Sequence, residues 1–253
     1  MALLARTPAS GLDESVRLDP ACPLRVTHAR GPLTLAVVSI AWVRGRGDAD
    51  RAALQARHLS DEERDRAAEL AVPKRRVEWL AGRLAVKHGV TAYLRRHSGL
   101  CVRTRDVRVG AVAGGIRAGK PTVDAPVEVG LTHSGDLAVA ACGPRAVGID
   151  LERTRQVPRP LAELLTTANP GCPALDTMPL SLRWACKEAV LKHFGFGLRV
   201  DTREVELTGW RPDGRFSWRA GPGLRRHVPA VDTLRLDNWA REVDGYCLSL
   251  VRS

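Results

Sequence analysis

Two stretches of this chain carry side chains whose types and spacing can do chemistry. In Val147-Gly148-Ile149-Asp150-Leu151-Glu152 the apolar residues alternate with two carboxylates, so a strand would turn Asp150 and Glu152 to one face. In Trp184-Ala185-Cys186-Lys187-Glu188-Ala189-Val190-Leu191-Lys192 the spacing is helical, and Trp184, Glu188 and Lys192 fall on one stripe. Hard oxygen donors in small number suit Mg²⁺, whose shell is completed by water and phosphate oxygens. Asp150, Glu152 and Glu188 are therefore candidate ligands of a magnesium site that handles a pyrophosphate, with Mn²⁺ as an alternative ion. Taken singly, each segment reads more plainly as a strand ending in water and a solvated i,i+4 ion pair. Lysine usage shifts that balance. Of the 39 basic residues only Lys74, Lys87, Lys120, Lys187 and Lys192 are lysine, and lysine, unlike arginine, can give up a proton in a protein.

Other segments fall into order around these two. Trp79-Leu80-Ala81-Gly82-Arg83 with Lys87, Gly119-Lys120-Pro121, Leu131-Thr132-His133-Ser134-Gly135, Gly148 to Glu152, Trp184 to Lys192 and Gly195-Phe196-Gly197-Leu198 follow one another along the chain. This ordered set resembles the 4'-phosphopantetheinyl transferase superfamily, in particular its surfactin-type, pseudo-dimeric branch, over roughly residues 59 to 200. The resemblance implies an α+β fold of two similar α/β halves related by a pseudo-two-fold axis. It also implies an activity: the phosphopantetheine arm of coenzyme A is moved to a serine of an acyl or peptidyl carrier protein, releasing adenosine 3',5'-bisphosphate.

Carried over position by position, Asp150, Glu152 and Glu188 resemble the metal ligands. Glu188 also resembles the base that takes the serine proton, and Lys192 the acid at the departing phosphate. Lys187 is expected to contact phosphate, and Thr132 and His133 to belong to the coenzyme A site, His133 on the 3'-phosphate. Lys120 and Pro121 would border the adenine, with Arg83 in the same pocket, and the Lys74-Arg75-Arg76 cluster, Arg75 and Arg76 above all, is a further candidate for the 3'-phosphate. Read without the resemblance, a basic run before a helix is a solvated face. His133 would then be a structural histidine. It does not form a hydrolase pair with Ser134, because neighbours on a strand point to opposite faces and no Gly-x-Ser-x-Gly elbow is present.

A formal charge of +11 favours acidic partners, among them carrier proteins and coenzyme A. Aromatic residues are 4% of the chain, and no zinc-finger, RNP or basic-helix pattern occurs, which argues against nucleic acid as the partner. The longest apolar run, Leu33 to Val43, is too short to span a bilayer, and Met1 to Arg17 lacks an export signal. The six cysteines show no paired spacing, so free thiols in a reducing cytoplasm are expected. Two other readings stand beside the transferase. One is a different Mg²⁺-dependent phosphoryl or nucleotidyl enzyme, such as a nuclease, and the other is a non-enzymatic basic module for an acidic partner.

The expected organisation is a leader at 1–30 without regular structure, an N-terminal half at 31–152, a linker at 153–183 and a C-terminal half at 184–253, acting as a monomer. Within it a strand is expected from Leu33 to Trp42, helices near Asp50 and Ser60, and a longer helix from Pro73 to about His97. Strands follow at 105–112, 128–133, 137–142 and 146–152, then at 203–210, 214–219, 231–238 and 242–251, with a hairpin turn at Arg211-Pro212-Asp213-Gly214. Trp79, Lys87 and His88 recur as Trp184, Lys192 and His193 at a constant offset of 105 residues, a faint internal repeat.

Overall fold

The computed structural model describes residues 16–29, 31–165 and 173–253. Its first strands are β1 (Leu24–His28) and β2 (Thr34–Ser39), followed by helices α1 (Ile40–Arg44), α2 (Asp48–His58), α3 (Asp61–Glu69) and α4 (Pro73–Ser98). Next come β3 (Val109–Ala111), β4 (Pro121–Val123), β5 (Glu128–Ser134), β6 (Leu137–Gly143) and β7 (Val147–Arg153). Helices α5 (Arg159–Leu165), α6 (Pro173–Asp176) and α7 (Leu180–His193) precede β8 (Val205–Trp210), β9 (Phe216–Ala220), α8 (Pro222–His227), β10 (Asp237–Val243) and β11 (Tyr246–Arg252). The fold is mixed α+β with several small antiparallel sheets. One runs in the order β1-β2-β6-β5, a second β10-β11-β7, and β3-β4 and β8-β9 form two-stranded ribbons.

Alternation along the strands decides what each side chain meets. In the first sheet Val38, Ala138, Ala140 and Cys142 pack under α4. The intervening Leu35, Val37, Leu137 and Val139 share a core with Ile149, Leu151, Leu248 and Leu250 of the second sheet. The other face of β7 lies under α7, where Gly148 admits the helix: a Cβ there would run into the Ala189 carbonyl oxygen and the His193 backbone. Because 147, 149 and 151 are held in the inter-sheet core, Asp150 and Glu152 turn the other way.

Several expected boundaries moved. The apolar run ends as strand at Ser39, because the Ser39 hydroxyl accepts from Trp42 N–H at 2.9 Å and caps α1. Segment 105–112 begins as a 3-10 turn, Thr104–Asp106, and is strand only from Val109. Segment 231–238 is likewise mostly turn and loop before β10. The leader holds one strand, β1, paired with β2, and its first fifteen residues lie outside the described set. The strand placed at the end of the first half, β7, pairs with β11 of the second sheet.

Two stretches of the chain share part of an order of elements: β2, α4, the Thr104–Asp106 turn, the β3-β4 ribbon and the β5-β6 hairpin, and β7, α7, the Thr202–Glu204 turn, the β8-β9 ribbon and the β10-β11 hairpin, with other helices and turns interposed in each. Lys87 of α4 donates to the carbonyls of Thr104 and Val107 at 3.2 and 2.5 Å. Lys187 of α7 donates to those of Thr202 and Val205 at 3.2 and 2.6 Å. The sequence repeats with them: Thr104-Arg105-Asp106-Val107 returns as Thr202-Arg203-Glu204-Val205, and Leu80, Arg83, Ala85, Lys87 and Val90 return as Leu180, Arg183, Ala185, Lys187 and Val190. This replaces the offset of 105 read from Trp79, Lys87 and His88, since bonding matches Lys87 to Lys187 and not to Lys192.

Candidate functional site

The site lies at the seam where β5 of the first sheet runs beside β7 of the second. No backbone ladder joins these two strands among the pairings of the described residues; side-chain hydroxyls do. Thr132 Oγ1 donates to Asp150 Oδ1 at 3.1 Å and accepts from Leu151 N–H at 3.2 Å. Two residues on, Ser134 Oγ donates to Glu152 Oε2 at 3.2 Å and accepts from Arg153 N–H at 3.1 Å. The same two-bond pattern thus fixes both carboxylates in register. Gly130 completes the approach, since a Cβ there would come within 3.0 Å of the Val147 carbonyl oxygen.

Helix α7 delivers the remaining groups. Its Lys192 ammonium lies 2.5 Å from Asp150 Oδ1 and 3.3 Å from Glu188 Oε2, one turn back on the same helix. Asp150 and Glu188 are buried, at 2% and 8% exposure. Burial pushes the carboxyls of Asp150 and Glu188 above the ordinary range, with Lys192 pulling the other way in each. Glu152 is raised by burial, then by the negative charge of Asp150 and, less, of Glu188. Burial pulls Lys192 down, yet Asp150 and Glu188 together hold it above its usual value.

The cluster therefore holds three carboxylates against one ammonium, and Asp150 Oδ2 is buried without a hydrogen-bond partner. Such hard, under-neutralised oxygens suit a divalent cation in donor chemistry and in charge. As the chain is folded here, Lys192 bridges Asp150 and Glu188, and among the described residues no group of three or more His, Cys, Asp or Glu is disposed to hold a metal ion.

Beside Lys192 opens a cavity of about 230 Å³, bordered by Lys120, Pro121, Leu131, Phe196 and Arg199. Lys120 is braced by Glu128 at 2.8 Å. It crosses Gly195, whose φ of +81° and lack of side chain leave room for the lysine stem. No family model matches the chain, and no curated protein matches it.

The structure brings Asp150, Glu152, Glu188, Lys192 and Thr132 together, and sets Lys120 and Pro121 on the adjoining cavity. Lys187 is not among them. Its ammonium is buried and donates to the Thr202 and Val205 carbonyls, so it is turned to these carbonyls and not to the carboxylate cluster. His133 is exposed on the strand face of Leu131, the side that packs toward α4 at Gly82. Next to Gly82, Arg83 lies over the Trp79 ring at 4.9 Å with its Nε buried and unpartnered. Arg75 and Arg76 are exposed in the first turn of α4. Arg76 bonds the Leu70 carbonyl, and neither arginine is brought to the carboxylates. Two contributors escaped the sequence reading, Ser134 and Arg199. Ser134 had a signal, since Thr132 and Ser134 share the two-residue spacing of Asp150 and Glu152; Arg199 had none.

Proposed function

We propose that this chain transfers the 4'-phosphopantetheine arm of coenzyme A to a serine of an acyl or peptidyl carrier protein. The observation that carries this reading is the meeting at one seam of Thr132, Asp150, Glu188 and Lys192, with the Lys120-Pro121 cavity directly beside them. These are the segments whose order along the chain resembles the phosphopantetheinyl transferases. The repeated lysine anchors and the repeated order of elements support two halves related by a pseudo-two-fold axis, with the site at their junction.

In this reading Glu188 accepts the proton of the acceptor serine, and burial beside Asp150 raises its basicity toward that task. Lys192, kept protonated by two carboxylates, serves the departing nucleotide phosphate as a fixed positive charge and hydrogen-bond donor. Thr132 and Ser134 hold Asp150 and Glu152 in place. Lys120 and Arg199 line the cavity as cations for a polyanionic substrate, and His133 and Arg83 offer further phosphate donors on the α4 side. Asp150, Glu152 and Glu188 would hold Mg²⁺, or Mn²⁺, which when bound neutralises charge on the pyrophosphate oxygens. A cytoplasmic monomer fits the reading. Among the described residues no helix is long and apolar enough to cross a membrane, and the described cysteines are unpaired.

The test is the intact mass of apo carrier domains incubated with the protein, coenzyme A and Mg²⁺. Wild type adds one phosphopantetheine per carrier and Glu188→Gln adds none. Absence of any mass gain across acyl, peptidyl and aryl carriers rejects the reading; cleavage of nucleic acid instead would favour a nuclease.

A further inference from the structure

We propose that the groove between α2 and α4 is a docking site for an acidic amphipathic helix of a partner protein. Helix α2 has 11 residues and none of them is buried, an unusual state for a helix in a folded core. Its packing is against α4 and the Thr104–Asp106 turn, and between α2 and the first turns of α4 lies a groove of about 670 Å³. The groove has an apolar floor of Ala52, Pro73, Val77 and Leu80. Val72, 52% exposed at the start of α4, extends that apolar surface.

The rim is basic. Arg44, Arg51, Lys74 and Arg76 line the groove against a single acid, Asp48. Arg51 pairs with Asp48 at 2.5 Å and Arg44 with Asp136 at 3.1 Å, whereas Lys74 is 77% exposed with Glu78 no nearer than 3.8 Å and Arg76 is bonded to a neutral carbonyl, so the excess positive charge of the rim sits at Lys74 and Arg76. A helix about 10 Å across can place apolar side chains at i, i+3, i+4 and i+7 on such a floor while its acidic side chains meet the rim. A bare phosphate or a nucleic-acid backbone would meet the rim and gain nothing from the floor.

The groove is also tied to the site. Arg44 pairs with Asp136 at 3.1 Å, and Ile40 N–H donates to the Asp136 carbonyl at 2.7 Å. Asp136 lies in the turn after β5, two residues beyond Ser134. Arg44 of the rim is thus linked to the turn that follows the strand orienting the carboxylates. Identifying the groove's occupant as the acceptor carrier domain rests on the transferase reading; the groove itself does not.

The experiment measures, for wild type, an Ala52→Glu/Gln55→Glu double variant and Ala52→Trp, the affinity for a labelled helical peptide of Glu and Leu and for an apo carrier domain. Coenzyme A affinity and thermal midpoint are followed in parallel. The expected result is about tenfold or greater weakening of both partners in both variants, with coenzyme A affinity and midpoint unchanged. Peptide and carrier binding equal to wild type in the variants, or no binding to wild type, overturns the proposal. If the variants lose the peptide while wild type never modifies a carrier, the groove stands and the transferase reading falls. If both variants keep the peptide while carrier is modified with unchanged KM, the groove falls and the transferase reading stands.

Discussion

Lys187 occupies in the second half of the chain the place that Lys87 occupies in the first. Each is a buried ammonium on a long helix that binds the first carbonyl of a 3-10 turn and the carbonyl just past its end, at Thr104 and Val107 or at Thr202 and Val205. The pairs differ in one respect: Lys87 also meets the Glu63 carboxylate at 2.7 Å, where both side chains are buried. Removing a charge from a buried pair strands its partner, so Lys87→Met should cost about 3–5 kcal/mol. Lys187→Met strands two carbonyls and should cost about 2–3 kcal/mol. Urea unfolding checks the order. If Lys187→Met is as stable as wild type but binds coenzyme A more weakly, Lys187 is a ligand contact and not an anchor.

Gly148 sets how closely α7 approaches β7. Gly148→Ala forces a methyl into the backbone of Ala189 and His193, and neither strand nor helix can yield alone. We expect a loss of about 3 kcal/mol or more. Gly114→Ala, with nothing within 4 Å of its added Cβ, should be nearly neutral. Equal thermal midpoints for the two variants would contradict the close packing.

The hydroxyl clamps across the seam predict a graded effect. Ser134→Ala leaves Arg153 N–H and one Glu152 oxygen without their partner and should cost about 1–2 kcal/mol. Ser134→Thr should restore most of it. Under the proposed function the same variant slows carrier modification while coenzyme A affinity holds, because Ser134 acts only through Glu152. Loss of coenzyme A binding in Ser134→Ala would instead make the serine a ligand contact.

Two histidines make the fold sensitive to acid. Burial lowers His88 and His193 to about 4 from 6.5. Because the folded values lie below the unfolded one, the unfolded chain takes up protons first as pH falls. Their contribution is intact above 6.5 and is lost between there and about 4, by up to about 3 kcal/mol each. The stability difference between wild type and His88→Gln should therefore shrink over that window in urea titrations at successive pH values. A difference that stays flat removes His88 from the effect.

Much of the site was legible before the fold because its chemistry is written in short local patterns. Alternation in Val147 to Glu152 named the face of two carboxylates, and helical spacing put Glu188 and Lys192 on one stripe. Ser60 before Asp61-Glu62-Glu63 announced a helix start, and the structure shows a capping box there. The misreadings came where a local signal competed with a distant partner. Lys187 looked as chemical as Lys192 because both flank Glu188 in a chain poor in lysine; which stripe of the helix meets the carboxylates depends on the elements packed on each side. Segment 105–112 alternated like a strand, but Lys87 holds its first carbonyls in a turn.

By itself, then, the sequence determined the element types over most of the described chain and the carboxylates and lysines worth considering. The tertiary structure alone decided that β7 belongs with β11, that Lys192 and not Lys187 faces Asp150, and that Thr132 and Ser134 bind the two sheets together. The physical reason is range. Periodicity and capping act within a few residues of chain, whereas sheet pairing, burial and charge coupling depend on residues that only folding brings side by side.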